Sequence, residues 1–313
     1  MSVFCVGEML VDFLPGDEPG SYIRRAGGAP ANAAIALARH GCDVTFCGVL
    51  GKDDFGNFLL ETLRENHVNP VVRLTDQAIT TMAFVTLDEK GDRSFTFARK
   101  PGADMFLDTE QVNCEAFDCA DWVHAGSCSL SKGCARDATV YAIQQGHATG
   151  KLVSFDVNYR NVMWDDDEHA AVQAIREILP FVDFLKISQE EAQMLGGEDL
   201  IAQVMTENHI AVVVETLGEQ GVRCFWQNER LELPGIQARC IDATGAGDAF
   251  WGGFLATLER AKIRSTDSLT KSLLRQAMQN GNIAGWLCVQ KKGAIESLPT
   301  REQVEHYAKE IYG

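Results

Sequence analysis

Positive charge is scarce in this sequence. Its 28 lysines and arginines face 44 aspartates and glutamates, for a formal net charge of −16. Nucleic acids and anionic membranes both need a basic face on their partner, so neither is expected to bind. Long apolar runs are missing too, none reaching the ~18 residues of a membrane-spanning helix. The apolar N-terminus is interrupted by Glu8 and Asp12 and carries no basic segment, the pattern of a buried strand and not of a signal peptide. There is no Cys-x-x-Cys pair among the 10 cysteines, and the 7 histidines do not cluster beside them. Cys5, Cys47, Cys224 and Cys288 lie in apolar contexts, where cysteine acts as a small hydrophobe. Reduced thiols in a cytoplasmic protein are expected. No Pro/Ser-rich linker, repeat or low-complexity tract divides the 313 residues. With 46% hydrophobic content, a single domain spanning 1–313 is expected. A Walker-type loop is absent as well: Gly51-Lys52 runs into Asp53, and Phe46 stands where its first glycine would be.

What is present is Asp242-Ala243-Thr244-Gly245-Ala246-Gly247-Asp248-Ala249-Phe250, followed by an apolar, helix-compatible stretch. Glycines at 245 and 247 let consecutive N–H groups turn inward at a helix start, where unpaired donors and the helix dipole together suit an anion. A carboxylate at Asp248 is ill placed beside a resting phosphate. It makes sense as a base taking a proton from a hydroxyl that attacks a phosphoryl group. A dinucleotide-binding oxidoreductase is the competing reading, but Phe250 replaces the third glycine of that fingerprint and the run is far from the N-terminal strand. A second cluster, Gly27-Gly28-Ala29-Pro30-Ala31-Asn32, precedes an Ala-rich helical segment closed by Gly41. It is either a tight turn or a place where a hydroxyl-rich ligand meets the backbone, with the Asn32 amide as donor and acceptor.

Short apolar runs at 3–6, 44–49, 122–125, 152–156, 184–187, 211–216 and 222–226 read as strands. Helical spacing occupies 56–66, 136–149, 167–179, 190–195 and 268–288. That alternation predicts an α/β fold, a mostly parallel central sheet covered by helices on both faces. Ligands then bind beyond the carboxyl ends of the strands. Two segments, about 12–26 and 80–100, alternate differently and predict a small antiparallel sheet, with 88–92 as a hairpin turn.

The two glycine clusters resemble the characteristic segments of the ribokinase-like (PfkB) carbohydrate kinases. The resemblance extends to Gly7-Glu8-Met9-Leu10-Val11-Asp12, Asp156-Val157-Asn158-Tyr159-Arg160 and Thr216-Leu217-Gly218-Glu219-Gln220-Gly221, in the family's order. The runs from Ser94 to Asp104 and from Phe155 to Arg160 are most similar to bacterial fructokinases. Aminoimidazole riboside kinases, other nucleoside kinases and 2-keto-3-deoxygluconate kinases stay open as alternatives. The resemblance implies transfer of the ATP γ-phosphate to a sugar primary hydroxyl. Asp248 is then the base, and the N–H groups of Gly245, Ala246 and Gly247 stabilise the transferred phosphoryl. Asp12, Gly27, Gly28 and Asn32 correspond to sugar contacts, Arg160 to a phosphate contact and Arg99 to a lid contact. Lys186, Thr216, Gly218, Gly221 and Asn282 fall to ATP.

The small sheet becomes a lid and, in many members, a homodimer contact. Magnesium would be held mainly by ATP oxygens and water, with Glu191 reached through water. Ser188 stands where the family often has asparagine. A monovalent cation, potassium, would sit at Asp242, Thr244, Gly293 and Ser297. Asp242 alone is explained equally by capping the turn.

Overall fold

The computed structural model describes residues 2–16, 18, 20–87 and 93–313, so the expected turn at 88–92 lies outside them. Its strands are β1 (Ser2–Val6), β2 (Leu10–Pro15), β3 (Tyr22–Gly27), β4 (Asp43–Gly51), β5 (Asn69–Thr75), β6 (Met82–Leu87) and β7 (Arg93–Ala98). They continue as β8 (Trp122–Gly126), β9 (Leu152–Asp156), β10 (Phe184–Ser188), β11 (Val212–Thr216), β12 (Gly221–Trp226) and β13 (Glu229–Pro234). Nine of these form one sheet in the order β13-β12-β11-β10-β9-β8-β1-β4-β5. All neighbours from β11 to β5 run parallel, and β12 and β13 return antiparallel at one edge.

A parallel strand covered on both faces must be apolar at every position. β8 and β9 are buried throughout, and β10 and β11 in all but their last residues. Along β1, Val3 and Cys5 join one core while Phe4 and Val6 join the other, as the two-residue period requires. The first core lies under helices Ala29–Arg39, Asp54–Glu65, Ala246–Arg260 and Lys271–Cys288. The second lies under Cys134–Ala148 and Glu168–Ile178. β5 and β13 do not appear among the strands expected from sequence. One opens Asn-Pro and the other alternates charge with apolar residues, both edge-strand habits that hide a strand among loops.

The remaining strands form a separate sheet in the order β3-β2-β6-β7. It is two antiparallel hairpins, β2–β3 and β6–β7, joined by a parallel pairing of β2 with β6. Phe13 and Phe84 stack there at 4.9 Å, with Tyr22 edge-on to Phe84 at 5.8 Å.

Where the chain passes between the sheets, the connections meet in a buried polar cluster. Arg99, just beyond β7, reaches Asp104 Oδ2 through Nε at 2.9 Å and Nη2 at 2.8 Å, while Nη1 donates to Ser131 Oγ at 3.0 Å. Thr81, just ahead of β6, donates to the other Asp104 oxygen. Glu8, between β1 and β2, accepts from Ser129 Oγ at 2.6 Å. The Arg99 and Asp104 side chains are only 5% and 2% exposed, so removing one leaves a buried charge without its partner. Asp104→Ala is expected to cost about 3–5 kcal/mol of unfolding free energy, read by urea titration. A loss below ~1 kcal/mol, the range of a solvated surface pair, would show that the pair does not hold the junction.

Candidate active site

β9, β10 and β11 end at Asp156, Ser188 and Thr216, and Asn158 beyond β9 and Lys186 on β10 approach the N-terminus of helix Ala246–Arg260. Gly245 occupies the N-cap at φ 79°, a left-handed conformation that glycine adopts without penalty. A Cβ there would come within 2.9 Å of Ala294 Cα. A Cβ on Gly247 would lie 3.3 Å from Lys186 Nζ. The helix start at Gly247 and a buried ammonium therefore face the same space, a setting for phosphate, but the Ala246 N–H of the expected nest donates to Ala243 O at 3.2 Å. Lys186 Nζ is held by Asp156 at 2.9 and 2.7 Å. Burial works against its charge, yet Asp156, Glu191 and Asp248 outweigh that and hold its pKa above the ordinary lysine value.

Asp248, 6% exposed, follows directly. Its Oδ2 accepts from Asn32 Nδ2 at 2.8 Å and its Oδ1 from Asn158 Nδ2 at 3.3 Å. Asn32 reaches it because helices Ala29–Arg39 and Ala246–Arg260 meet at Ala36 and Gly252, where a Cβ on the glycine would collide with Ala36. Loss of water and then the charge of Asp156 push the Asp248 carboxyl up to about 6, against the pull of Lys186, Asn32 and Arg160. An acid poised there works as a base near neutral pH. Asn158 is the contact to Asp248 that sequence reasoning left without a role. Its signals were its spacing of two from Asp156 and an amide side chain suited to the left-handed φ of 35° that it adopts.

Asp12, on β2, is half-buried. Loss of water raises its carboxyl to about 7, with Arg160 opposing and Asp248, Glu296 and Asp242 adding to the rise. Asp12, Arg160 and Asp248 thus share one electrostatic neighbourhood. A Cβ on Gly27 would collide with the Asp12 carboxylate, and one on Gly28, at φ 107°, would lie 2.6 Å from Glu8 O. Asn32 Oδ1 is buried and has no hydrogen-bond partner. Arg160 is exposed, with Nη1 on its neighbour's carbonyl, Tyr159 O, at 2.9 Å. Arg99 is placed differently from the other sugar-contact candidates, its guanidinium committed to Asp104 and Ser131 in the buried junction cluster.

Thr216 Oγ1 donates to Ile187 O at 3.3 Å across β10–β11, and Gly218 (φ 57°) and Gly221 (φ 108°) shape the turn into β12. Gly235 N donates to Gln220 O at 3.1 Å, and Asn282 Nδ2 to Pro234 O at 3.1 Å. The expected nucleotide residues 216, 218, 221 and 282 are thereby linked through the chain beyond β13.

Glu191 uses both carboxylate oxygens on backbone N–H groups, Ser188 and Tyr159, each at 2.7 Å. Ser188 returns the bond in a capping box, so here it serves as a helix cap. Burial and then Asp156 push the Glu191 pKa upward. Asp242 accepts from Thr244 N at 2.9 Å and from Gly293 N at 3.0 Å. Cys288 Sγ lies 2.8 Å from Ser297 Oγ and 3.6 Å from Thr244 O. All four expected monovalent-cation residues are therefore one cluster, a carboxylate, a hydroxyl and carbonyls, the donor set of a hard cation. Among the described residues no group of three or more His, Cys, Asp or Glu side chains is placed to hold a metal ion by itself.

Comparison with known proteins places the whole chain among sugar kinases. Fructokinase-2 of Oryza sativa subsp. japonica is 36% identical over 311 residues, covering 95% of this chain and 91% of the relative. The crystal structure of an ATP-bound fructokinase from Xylella fastidiosa superposes with a TM-score of 0.93 at 30% identity, over 100% of this chain and 99% of that one. A double mutant of the fructokinase from Vibrio cholerae O395, with fructose, ADP and potassium bound, gives 0.89 at 32% identity over 98% and 97%. The model of the pfkB family carbohydrate kinases matches residues 1–301. The chain belongs to that family and is an ATP-dependent sugar kinase.

Proposed function

We propose that the protein is a fructokinase, transferring the γ-phosphoryl group of ATP to a primary hydroxyl of fructose. The observation that carries this reading is Asp248, a buried carboxylate held by two amides where the glycine nest begins, with Lys186 at its side. The sugar hydroxyl gives its proton to Asp248 as its oxygen bonds to the γ-phosphorus, and the bond to the β–γ bridging oxygen breaks, leaving ADP. The N–H groups of Gly245 and Gly247 and the Lys186 ammonium would meet the charge on the moving phosphoryl, that of Ala246 being bonded to Ala243 O. The free Oδ1 of Asn32, the Asp12 carboxylate and the close backbone of Gly27 and Gly28 suit the sugar's other hydroxyls. Fructose is favoured as substrate by the fructokinase relatives and by the fructose-bound Vibrio cholerae structure. Magnesium bound through ATP oxygens and water would supply further neutralisation of the phosphates, with Glu191 able to touch it only through water.

The test is a coupled ADP-release assay across fructose, aminoimidazole riboside, 2-keto-3-deoxygluconate and ribose, for the wild type and Asp248→Asn. Fructose is expected to give the highest kcat/KM. Because the base must be ionised, kcat/KM should fall as pH drops through about 6. Asp248→Asn should lose about 10²–10⁴ in rate while still binding both substrates. A variant keeping a tenth of wild-type turnover would remove Asp248 as the base, and a better substrate than fructose would replace the assignment.

Potassium at Asp242, Thr244, Gly293 and Ser297 would order the adjoining nest before phosphate arrives. Replacing potassium by tetramethylammonium at constant ionic strength should lower the initial rate several-fold in the wild type and not in Asp242→Ala. An unchanged wild-type rate would exclude a functional site.

The small sheet would close over the sugar and exclude water. Its Tyr22 is 45% exposed and edge-on to Phe84 of the Phe13–Phe84 stack, apolar surface that a second copy would cover. Sedimentation equilibrium should therefore give twice the 34.3 kDa chain mass; a monomer mass shifted to by Tyr22→Lys would place the contact on this sheet, and a wild-type monomer would refute it.

A further inference from the structure

We propose that Asn158 is a positioning residue for the base: together with Asn32 it fixes the plane of the Asp248 carboxylate and favours its ionised form. The inference rests on Asp248 acting as the base. The terminal torsion of an aspartate is broad and two-fold, so one donor on one oxygen leaves the carboxylate free to rock. Here each oxygen accepts a separate amide, Oδ2 from Asn32 at 2.8 Å and Oδ1 from Asn158 at 3.3 Å. The two donors come from different elements, a helix and the loop after β9, and so fix both the tilt of the group and the lone pair left for the sugar hydroxyl.

The backbone shows that Asn158 is held there against its own preference. Its φ is 35°, a conformation unfavourable for a residue with a Cβ, and asparagine is among the side chains that best tolerate it. Both flanks are tied down: Cys128 Sγ donates to Asn158 O at 3.5 Å, and Tyr159 N donates to Glu191 Oε1 at 2.7 Å. Asn158 itself is 9% exposed and buried beside Asp248.

The chemistry explains why an amide is used. Asp156 from β9, Asp12 from β2 and the Cys288 thiol from helix Lys271–Cys288 interact electrostatically with Asp248, as do Lys186 from β10 and Arg160 from the loop after β9. Burial and Asp156 both work against its ionisation. A third cation would restore the charge but would weaken the base and remain when the proton arrives. An amide N–H bonds more strongly to the ionised carboxylate than to the protonated one and leaves the net charge of the site unchanged.

The positive φ supplies a clean test, because glycine accepts that backbone without strain. Asn158→Gly removes the amide and keeps the loop, the relief of backbone strain offsetting part of the lost hydrogen bond, so the variant should stay folded. The acid limb of its kcat/KM profile should move up by about one pH unit or more, the size of a lost hydrogen bond to a charged group. Asn158→Asp, which tolerates the same backbone but places a second carboxylate on Asp248, should move that limb further in the same direction. An acid limb for Asn158→Gly that superposes on the wild type overturns the proposal, as does a rate loss matched by an equal loss of folded protein. If Asp248→Asn is inactive while the Asn158→Gly profile is unshifted, only the role of Asn158 falls. If Asp248→Asn stays active, the base itself has been misassigned.

Discussion

Burying a carboxylate requires that its charge be met, and the arrangement of this molecule around Asp248 follows from that requirement. Left alone in an apolar site the group would take up a proton and be useless as a base. Full neutralisation by a cation would leave it too weak to accept one. The structure takes a middle course, with two neutral amides in direct contact and the nearest ammonium, Lys186, bonded to Asp156 instead. The cost falls on the Asp156–Lys186 pair, buried at 4% and 6% exposure. That pair sits on adjacent strands at the carboxyl end of the sheet, where parallel register sets Lys186 against Asp156. Sheet register, helix crossing and the strained loop at Asn158 are thus different means of aiming groups at one oxygen pair.

The second sheet faces a related difficulty. A small sheet standing off the main one must be joined by connections that do not wander, and each connection has backbone polar groups to satisfy. Here the connections near Glu8, Thr81 and Arg99 share one buried cluster with Asp104, Ser129 and Ser131. The pairing of β2 with β6 joins the two hairpins parallel, so Asp12 on β2 takes its position from the same anchored junction. Arg25, opposite Asp12 in the register, reaches Glu296 at 3.0 Å and so touches the loop that also donates Gly293 N to Asp242. That ion pair ties the small sheet beside Asp12 to the segment that holds Asp242.

Much of this was legible in the sequence because the central strands of a parallel sheet have no polar face to disguise them. Val212-Val213-Val214 and Phe184-Leu185 admit little else, and Gly245-Ala246-Gly247-Asp248 carries its chemistry in four adjacent letters. β5 and β13 were not legible, since edge strands alternate charge and carry proline like any loop. For Arg99 the resemblance implied a lid contact to the sugar. The structure shows its guanidinium bonded to Asp104, a choice decided by a partner whose approach depends on the turn between them and not on spacing. Asn158 was visible as a letter and invisible as a contact, because the φ that aims it is imposed by Cys128 and Glu191 from other elements.

The acidity of the chain then takes on a local meaning. A protein with a net charge of −16 that accepts a nucleoside triphosphate must overcome repulsion near the site, where Asp12 feels Asp248 and Asp242, and Asp248 feels Asp156. Lys186 and Arg160 are two positive charges among those four carboxylates. Oriented N–H groups at the helix start add attraction for phosphate without adding any group that titrates. Metal ions arriving with the nucleotide, or held at Asp242, would complete the balance only when substrate is present. Phosphate entering such a site is opposed by those carboxylates and drawn by the oriented N–H groups and the two cationic side chains.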